Sequence, residues 1–482
     1  MAVVDLLFSP YAIPVAVVLF FLVPYLTSHT ALNDVPGPFA AKFSAFWLLI
    51  QARRGRRYLS VNEAHEKYGK LVRIQPDHVS VADDGAINAI YGHGNGFLKS
   101  KRKTISHTFS TKSIVQFETY MHENLSLFAE QWDKISKNAH GGYAKLDCLH
   151  WFNYLAFDII GDLAFGQSFG MLAKGKDITE IQMTPGAPIT YAPAVEVLNR
   201  RGEVSGTLGC YPTLKPYAKY FPDPFFSQGL AAVQNLAGIA VARVSQRLDG
   251  KQDVGRVDLL ARLMEGRDEK GNKLGREELT AEALTQLIAG SDTTSNTSCA
   301  ILYWVCKTPG VLQKLQQELD GAIPAGIVVP SYDMVKDLKY MNNVIQETLR
   351  IHSTSSLGLP RLVPPGNGIE ILGKHFPPYT VLSVPSYTIH HSKEIWGSDA
   401  DEFVPDRWDK LTERQKNAFI PFSYGPRSCV GRNVAEMELA LIVGTTFRRY
   451  DLDLYQKQLD TREGFLRKPL ECMVGIKLRN NI

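Results

Sequence analysis

The sequence predicts a mainly helical fold with small β-sheets, preceded by an N-terminal transmembrane helix. Three observations carry this. Residues 280–307 form a long, largely apolar stretch without proline. Met341, Val344, Ile345, Thr348 and Leu349 recur at i, i+3, i+4, i+7 and i+8, the spacing of a buried helical face. Alternation of the β type is confined to short runs, around residues 70–81 and 368–387.

Taken in order, the chain begins with an uncharged run from Leu6 to Leu26, matching the roughly 20 residues needed to cross a bilayer core. A cleaved signal peptide is the alternative. Asp5 precedes the run, no Lys or Arg does, and the run exceeds a usual signal core, so an uncleaved anchor over residues 1–30 is expected. Pro10, Pro14 and Pro24 leave room for a kinked or interfacial helix. Lys42, Arg53, Arg54, Arg56 and Arg57 follow the run, and the positive-inside bias then places the remainder in the cytosol. Val35-Pro36-Gly37-Pro38 reads as a stiff turn within a hinge, residues 31–40, ahead of a globular body, 41–482.

Within that domain, Leu71, Arg73, Ile74, Val79, Ser80 and Val81 read as a hairpin. The 280–307 stretch reads as a helix with Thr280 as N-cap, roughly 28 residues and about 40 Å long. Thr308-Pro309 is expected to cap and open the next helix. Ile369-Glu370-Ile371, Val381 and Val384 mark further short strands.

Composition is that of a globular protein, 45% hydrophobic and 21% charged, with a formal charge of +4. So mild an excess does not describe a dedicated nucleic-acid binder, which concentrates basic residues on one face. Cys148, Cys210, Cys299, Cys306, Cys429 and Cys472 lack C-x-x-C spacing, which reads as free thiols in a reducing compartment, neither a disulfide framework nor a zinc site.

Chemistry concentrates near the C-terminus. Phe422-Ser423-Tyr424-Gly425-Pro426-Arg427-Ser428-Cys429-Val430-Gly431 holds one cysteine between two glycines. A thiolate in such a loop can be the axial ligand of a haem iron, where it pushes electron density toward the metal. Gly425 allows a tight turn, Gly431 allows close approach to a flat macrocycle, and Arg427 would face a propionate. An isolated cysteine is more often a small buried hydrophobe; the full F-x-x-G-x-R-x-C-x-G string makes that a poor account.

In the long helix, Ala289-Gly290-Ser291-Asp292-Thr293-Thr294 has small residues at 289 and 290 that are expected to leave space on one face, with an acid and a hydroxyl beside that space. Two readings stand. Asp292 and Thr293 deliver protons to bound dioxygen, or Thr293 bonds back to the carbonyl one turn earlier and Asp292 is solvated. Glu347 and Arg350 share a face of the next helix, and Arg407 in Phe403-Val404-Pro405-Asp406-Arg407-Trp408 can complete an Arg-Glu-Arg cluster with a scaffold role.

With these four motifs in this order, the chain resembles the cytochrome P-450 superfamily of haem-thiolate monooxygenases over nearly everything after Pro36. The resemblance implies that superfamily's fold, haem b as cofactor, and Cys429 as iron ligand, with Phe422 and Gly431 in the same loop. It implies Asp292 and Thr293 as the oxygen-activation pair, and Glu347, Arg350 and Arg407 as the structural triad. Arg361, Arg427 and Arg102 are then haem contacts. Trp151 through Asp158, Leu284 through Thr297, Ile351 through Ser355 and Ile420 through Glu438 resemble the fungal benzoate para-hydroxylases. That branch implies conversion of benzoate, a small aromatic acid, to 4-hydroxybenzoate with dioxygen and with electrons from NADPH through NADPH-cytochrome P-450 reductase. The implied location is the endoplasmic reticulum membrane, facing the cytosol.

The chain departs from the pattern near residue 100. Leu98 stands where the family has an aromatic residue or histidine, and Gly96 through Ser100 abut the basic run from Lys101 to His107 where the benzoate hydroxylases carry a longer segment. Ser355, Ser356 and Leu357 are candidates for substrate contact, with loop packing as their more ordinary reading. No glycine-rich dinucleotide fingerprint is visible, so electrons come from a partner. Arg414, Lys416 and Arg432 are candidates for docking it. A monooxygenase of the same fold with another substrate, and an inactive haem-binding protein, are the alternatives.

Overall fold

The computed structural model describes residues 12–28, 30–93, 109, 114–250, 258–267 and 271–480. Ten helices carry the argument: α1 Ala12–Thr27, α2 Arg57–Tyr68, α3 Glu118–Lys137, α4 Cys148–Phe165, α5 Ala194–Gly209, α6 Pro224–Leu248, α7 Arg276–Lys307, α8 Val311–Ala322, α9 Lys339–Ile351 and α10 Arg432–Arg449. The strands used below are β1 Leu71–Gln75, β2 His78–Val81, β3 Ala144–Asp147, β4 Arg361–Leu362, β5 Val381–Ser383, β6 Tyr450–Leu454, β7 Thr461–Glu463, β8 Arg467–Pro469 and β9 Met473–Leu478.

The long helix α7 starts one turn before Thr280. Its first turn carries Glu277 and Glu278 after Gly275, acids that suit the positive end of a helix, and Thr280 Oγ1 donates back to the Arg276 carbonyl at 2.8 Å. The following helix opens at Val311 behind Gly310, whose φ of +81° ends the turn, rather than at Thr308-Pro309. Helix α4 has Asp147 as N-cap, accepting from the Leu149 N–H at 3.0 Å, and stops at left-handed Gly166. α4 lies along α7. A Cβ on Gly290 would sit 2.5 Å from Ile160 Cδ1, so the small residue there permits helix contact rather than leaving a space.

The spacing read on α9 is its packing: Met341, Val344, Ile345, Thr348 and Leu349 are all buried. They join Phe128 and Trp132 of α3, Phe152 of α4, Leu302 of α7, Leu315 of α8 and Leu441 of α10 in the largest apolar core. The hairpin pairs Leu71 with Val81, and the sheet continues in the order β1-β2-β5-β4, β5 running parallel to β2. A second sheet has the order β6-β9-β3, and β7 pairs with β8. Ile369–Ile371 pairs with Lys374–Phe376.

Helix α1 is apolar and exposed, with Phe20 66% accessible, and at 1.5 Å per residue about 24 Å long. Among the described residues, the helix with length and composition enough to cross a membrane is α6, but half of its apolar stretch is buried and Leu236 and Ile239 are core residues, so it packs as an interior helix. Val35–Pro38 is docked: Pro36 O accepts from Arg73 N at 2.8 Å, and a Cβ on Gly37 would lie 2.3 Å from the Arg73 carbonyl. Arg57 is buried, not part of a surface charge cluster. It donates to Glu463 Oε2 at 3.3 Å.

Candidate active site

The cysteine loop is shaped by its first glycine. Gly425 has φ +69°, and a Cβ there would lie 1.9 Å from the Tyr91 carbonyl oxygen, so no other residue fits. The turn closes through Ser428 N to Gly425 O at 3.0 Å and Cys429 N to Phe422 O at 2.8 Å. Cys429 is thereby left exposed at the start of α10. Gly431, the N-cap of α10, has ordinary backbone angles; a Cβ on it would meet only Cys429 Sγ, at 4.0 Å, so space lies beside the sulfur. The Arg432 guanidinium covers the Phe422 ring at 5.5 Å.

Arg361 is buried on β4 with its guanidinium 4.9 Å from the Tyr91 ring. Its Nη1 donates to the Pro360 carbonyl at 3.1 Å, and its buried Nη2 has no hydrogen-bond partner. Burial lowers its pKa, and the neighbouring Arg427 charge lowers it further. Among the described residues no carboxylate forms an ion pair with Arg361. Two cations and an orphaned N–H near an exposed sulfur suit a ligand that brings anionic groups of its own. Haem b, with two propionates, fits.

The Glu347 carboxylate is fully buried and accepts five hydrogen bonds. Arg350 Nε and Nη2 donate at 2.9 and 2.8 Å, Arg407 Nε at 2.9 Å, Val404 N at 3.0 Å and Trp408 Nε1 at 2.9 Å. Arg350 also donates to the carbonyls of His390, Ala400 and Glu402, and Arg407 to Asp399 Oδ2 at 3.1 Å. Helix α9 is thus tied to the 399–408 segment through one carboxylate.

On α7, Asp292 is buried and accepts from Lys468 Nζ at 2.9 Å and from Asn296 Nδ2 at 3.2 Å. Thr293 Oγ1 donates to the Ala289 carbonyl at 2.7 Å. Asp292 is therefore not solvated, whereas Thr293 does bond back one turn. Lys468, on β8, also contacts Asn199 Oδ1 of α5. It lines a cavity of about 350 Å³ with Asn153, Asn199 and Asn296, so Asp292 is screened from that space by its own partners.

Ser356 is buried with its hydroxyl donating to Ser353 O at 2.6 Å, and Leu357 packs against the Val61 and Val72 cluster; Ser355 is half-buried. The three basic residues near the loop are ion-paired: Arg414 with Asp84 and Glu394, Lys416 with Glu413, and Arg432 with Glu436. Leu98, Arg102 and the Ser100-Lys101 junction lie outside the described residues.

Sequence reading missed Lys468, whose partner is 176 residues away. It missed Glu438, buried on α10 with Oε2 accepting from Thr294 Oγ1 at 3.2 Å and Oε1 unpartnered; burial pushes its pKa up to about 8. It also missed that Cys148, Cys299 and Cys472 converge, their sulfurs within 4.8 Å of one another. The one local signal was Glu438, an acid followed by the apolar run Leu439 to Val443.

An exposed loop cysteine with two arginines close to its loop, one carrying an orphaned N–H, suits a haem enzyme. The chain belongs to the cytochrome P450 family: the model of that family, described as Cytochrome P450, matches residues 84–476. It is a haem-dependent monooxygenase, a type that uses dioxygen and a redox partner. The chain is 60% identical to the benzoate 4-monooxygenase bphA of Aspergillus niger over 98% of each chain. It is 30% identical to a cytochrome P450 monooxygenase of Aspergillus terreus over 95% of this chain and 97% of that one. It is 28% identical to the cytochrome P450 monooxygenase gsfF of Penicillium aethiopicum over 94% of this chain and 95% of that one.

Proposed function

We propose that this monooxygenase hydroxylates a small aromatic acid, converting benzoate to 4-hydroxybenzoate, with electrons from NADPH delivered by NADPH-cytochrome P-450 reductase. The 60% identity to a benzoate 4-monooxygenase over nearly the whole of both chains carries this reading. When bound, haem would supply the redox chemistry of dioxygen activation. Cys429 would hold its iron through the thiolate, and Arg361 and Arg427 would hold the propionates, the unpartnered Arg361 Nη2 gaining an acceptor. Glu347, Arg350 and Arg407 fix the segment that leads into the cysteine loop. Asp292 exchanges its Lys468 contact for a proton from solvent, and Thr293 Oγ1 leaves the Ala289 carbonyl to pass it on. Burial of the aromatic ring contributes about 2–3 kcal/mol to binding.

Residues 1–30 anchor the protein in the endoplasmic reticulum membrane, 31–40 join anchor to body, and 41–482 are the catalytic domain in the cytosol. The exposed apolar face of α1 supports that placement.

Titration of the purified holoenzyme with benzoate tests the substrate: a saturable spin-state shift of the haem absorption is expected. A normal haem-thiolate spectrum with no shift and no 4-hydroxybenzoate overturns the substrate and leaves the haem site standing. A second reading, another substrate or lost activity, rests on one observation. The alignment with the Aspergillus niger protein spans 510 positions against 482 residues here, so that relative has residues with no counterpart in this chain.

A further inference from the structure

We propose that Cys148, Cys299 and Cys472 form a buried three-sulfur site for one thiophilic ion of trigonal coordination. The three residues come from three elements: Cys148 opens α4, Cys299 lies on α7, and Cys472 directly precedes β9. Each is fully buried, and their sulfurs lie within 4.8 Å of one another. The framework is fixed on all sides. Cys148 N donates to the Cys472 carbonyl at 3.0 Å, and the Asp147 carboxylate accepts from Cys472 N at 2.9 Å and Leu149 N at 3.0 Å.

The donor set selects the ion. All three donors are sulfur, which excludes hard cations such as magnesium and calcium. Zinc takes four ligands in closed sites, and among the described residues no histidine or carboxylate joins these three sulfurs. A soft ion content with three sulfurs remains, and two such ions differ in charge. Arsenous acid reacts with the three neutral thiols: three As–O bonds break, three As–S bonds form, and each thiol proton leaves with a hydroxyl as water, with no redox change and no net charge. Copper(I) binding releases thiol protons to solvent and leaves an anion in an apolar core, which costs desolvation energy. Leu149 and Leu470, chain neighbours of the site, line the cavity of about 350 Å³ together with Asn296, which shares a face of α7 with Cys299.

The test uses the full-length, haem-loaded protein with arsenous acid and copper(I) as separate probes. After gel filtration, elemental analysis is expected to find one ion per chain, lost in Cys299→Ala and retained in Cys306→Ala. Arsenic uptake is expected to vary little with pH, whereas copper(I) uptake tightens as pH rises. Failure of both probes to bind, or full stoichiometry in Cys299→Ala, overturns the site. Should Cys299→Ala not fold, X-ray absorption of the loaded wild type decides: three sulfur neighbours are expected, and two sulfurs or any nitrogen or oxygen neighbour refutes it.

Discussion

Replacing Glu347 with Gln keeps the shape of the side chain and removes its charge. Two donors, Arg350 Nε and Trp408 Nε1, point at Oε2, and three at Oε1. The amide loses least by presenting its oxygen to the three and its NH2 to the two, which leaves two buried donors facing a donor. Each such donor costs about 1–3 kcal/mol. Arg350, with no exposed surface, also loses its ion-pair partner, while keeping its carbonyl acceptors. Removing one partner of a buried pair costs about 3–5 kcal/mol, and the overlap of the two counts puts the expected loss in that same range. Urea denaturation of the holoenzyme, followed by haem absorbance and by far-UV circular dichroism, reads it as a lower midpoint, with reduced haem retention. A midpoint change worth under about 1 kcal/mol refutes the reasoning, since that is the scale of a surface pair.

Arg361→Ala is expected to speed haem transfer to a scavenging apoprotein by about tenfold, the loss of one charge-assisted hydrogen bond, whereas Arg361→Lys restores part of the retention. Burial raises the Glu438 pKa to about 8 from an ordinary 4.5, so stability falls as pH rises between those values, by about 5 kcal/mol as an upper bound. Glu438→Gln removes that fall in a denaturation series across the window. The buried His65, His78 and His390 and the half-buried His391 have their pKa lowered to about 4, 3, 3 and 3 from an ordinary 6.5, by burial first and, for the last three, by nearby arginines second. They act oppositely: stability is full above pH 6.5 and is lost on acidification through the folded values. Lys468→Met strands the buried Asp292 carboxylate and is expected to lower turnover about tenfold with little change in benzoate affinity; unchanged turnover removes Lys468 from proton delivery.

Much of the fold was legible because its signals are local. The α9 face, the hairpin and the glycine turn of the cysteine loop each depend on residues within a few positions of one another. The start of α7 was misplaced because Thr280 is a good cap in isolation, while Glu277 and Glu278 extend the helix beyond it. What escaped were contacts across the chain: Lys468 with Asp292, Thr294 with Glu438, and the three cysteines drawn from residues 148, 299 and 472. Gly290 carried a misleading signal. Its small size suggested open space, and Ile160 from α4 fills it.

The most direct test is product formation by the purified, haem-loaded chain reconstituted with NADPH-cytochrome P-450 reductase, NADPH, dioxygen and benzoate. Chromatography is predicted to show 4-hydroxybenzoate forming with time in the wild type and none in Cys429→Ser. Haem fully incorporated and reduced, with benzoate recovered unchanged, contradicts the account.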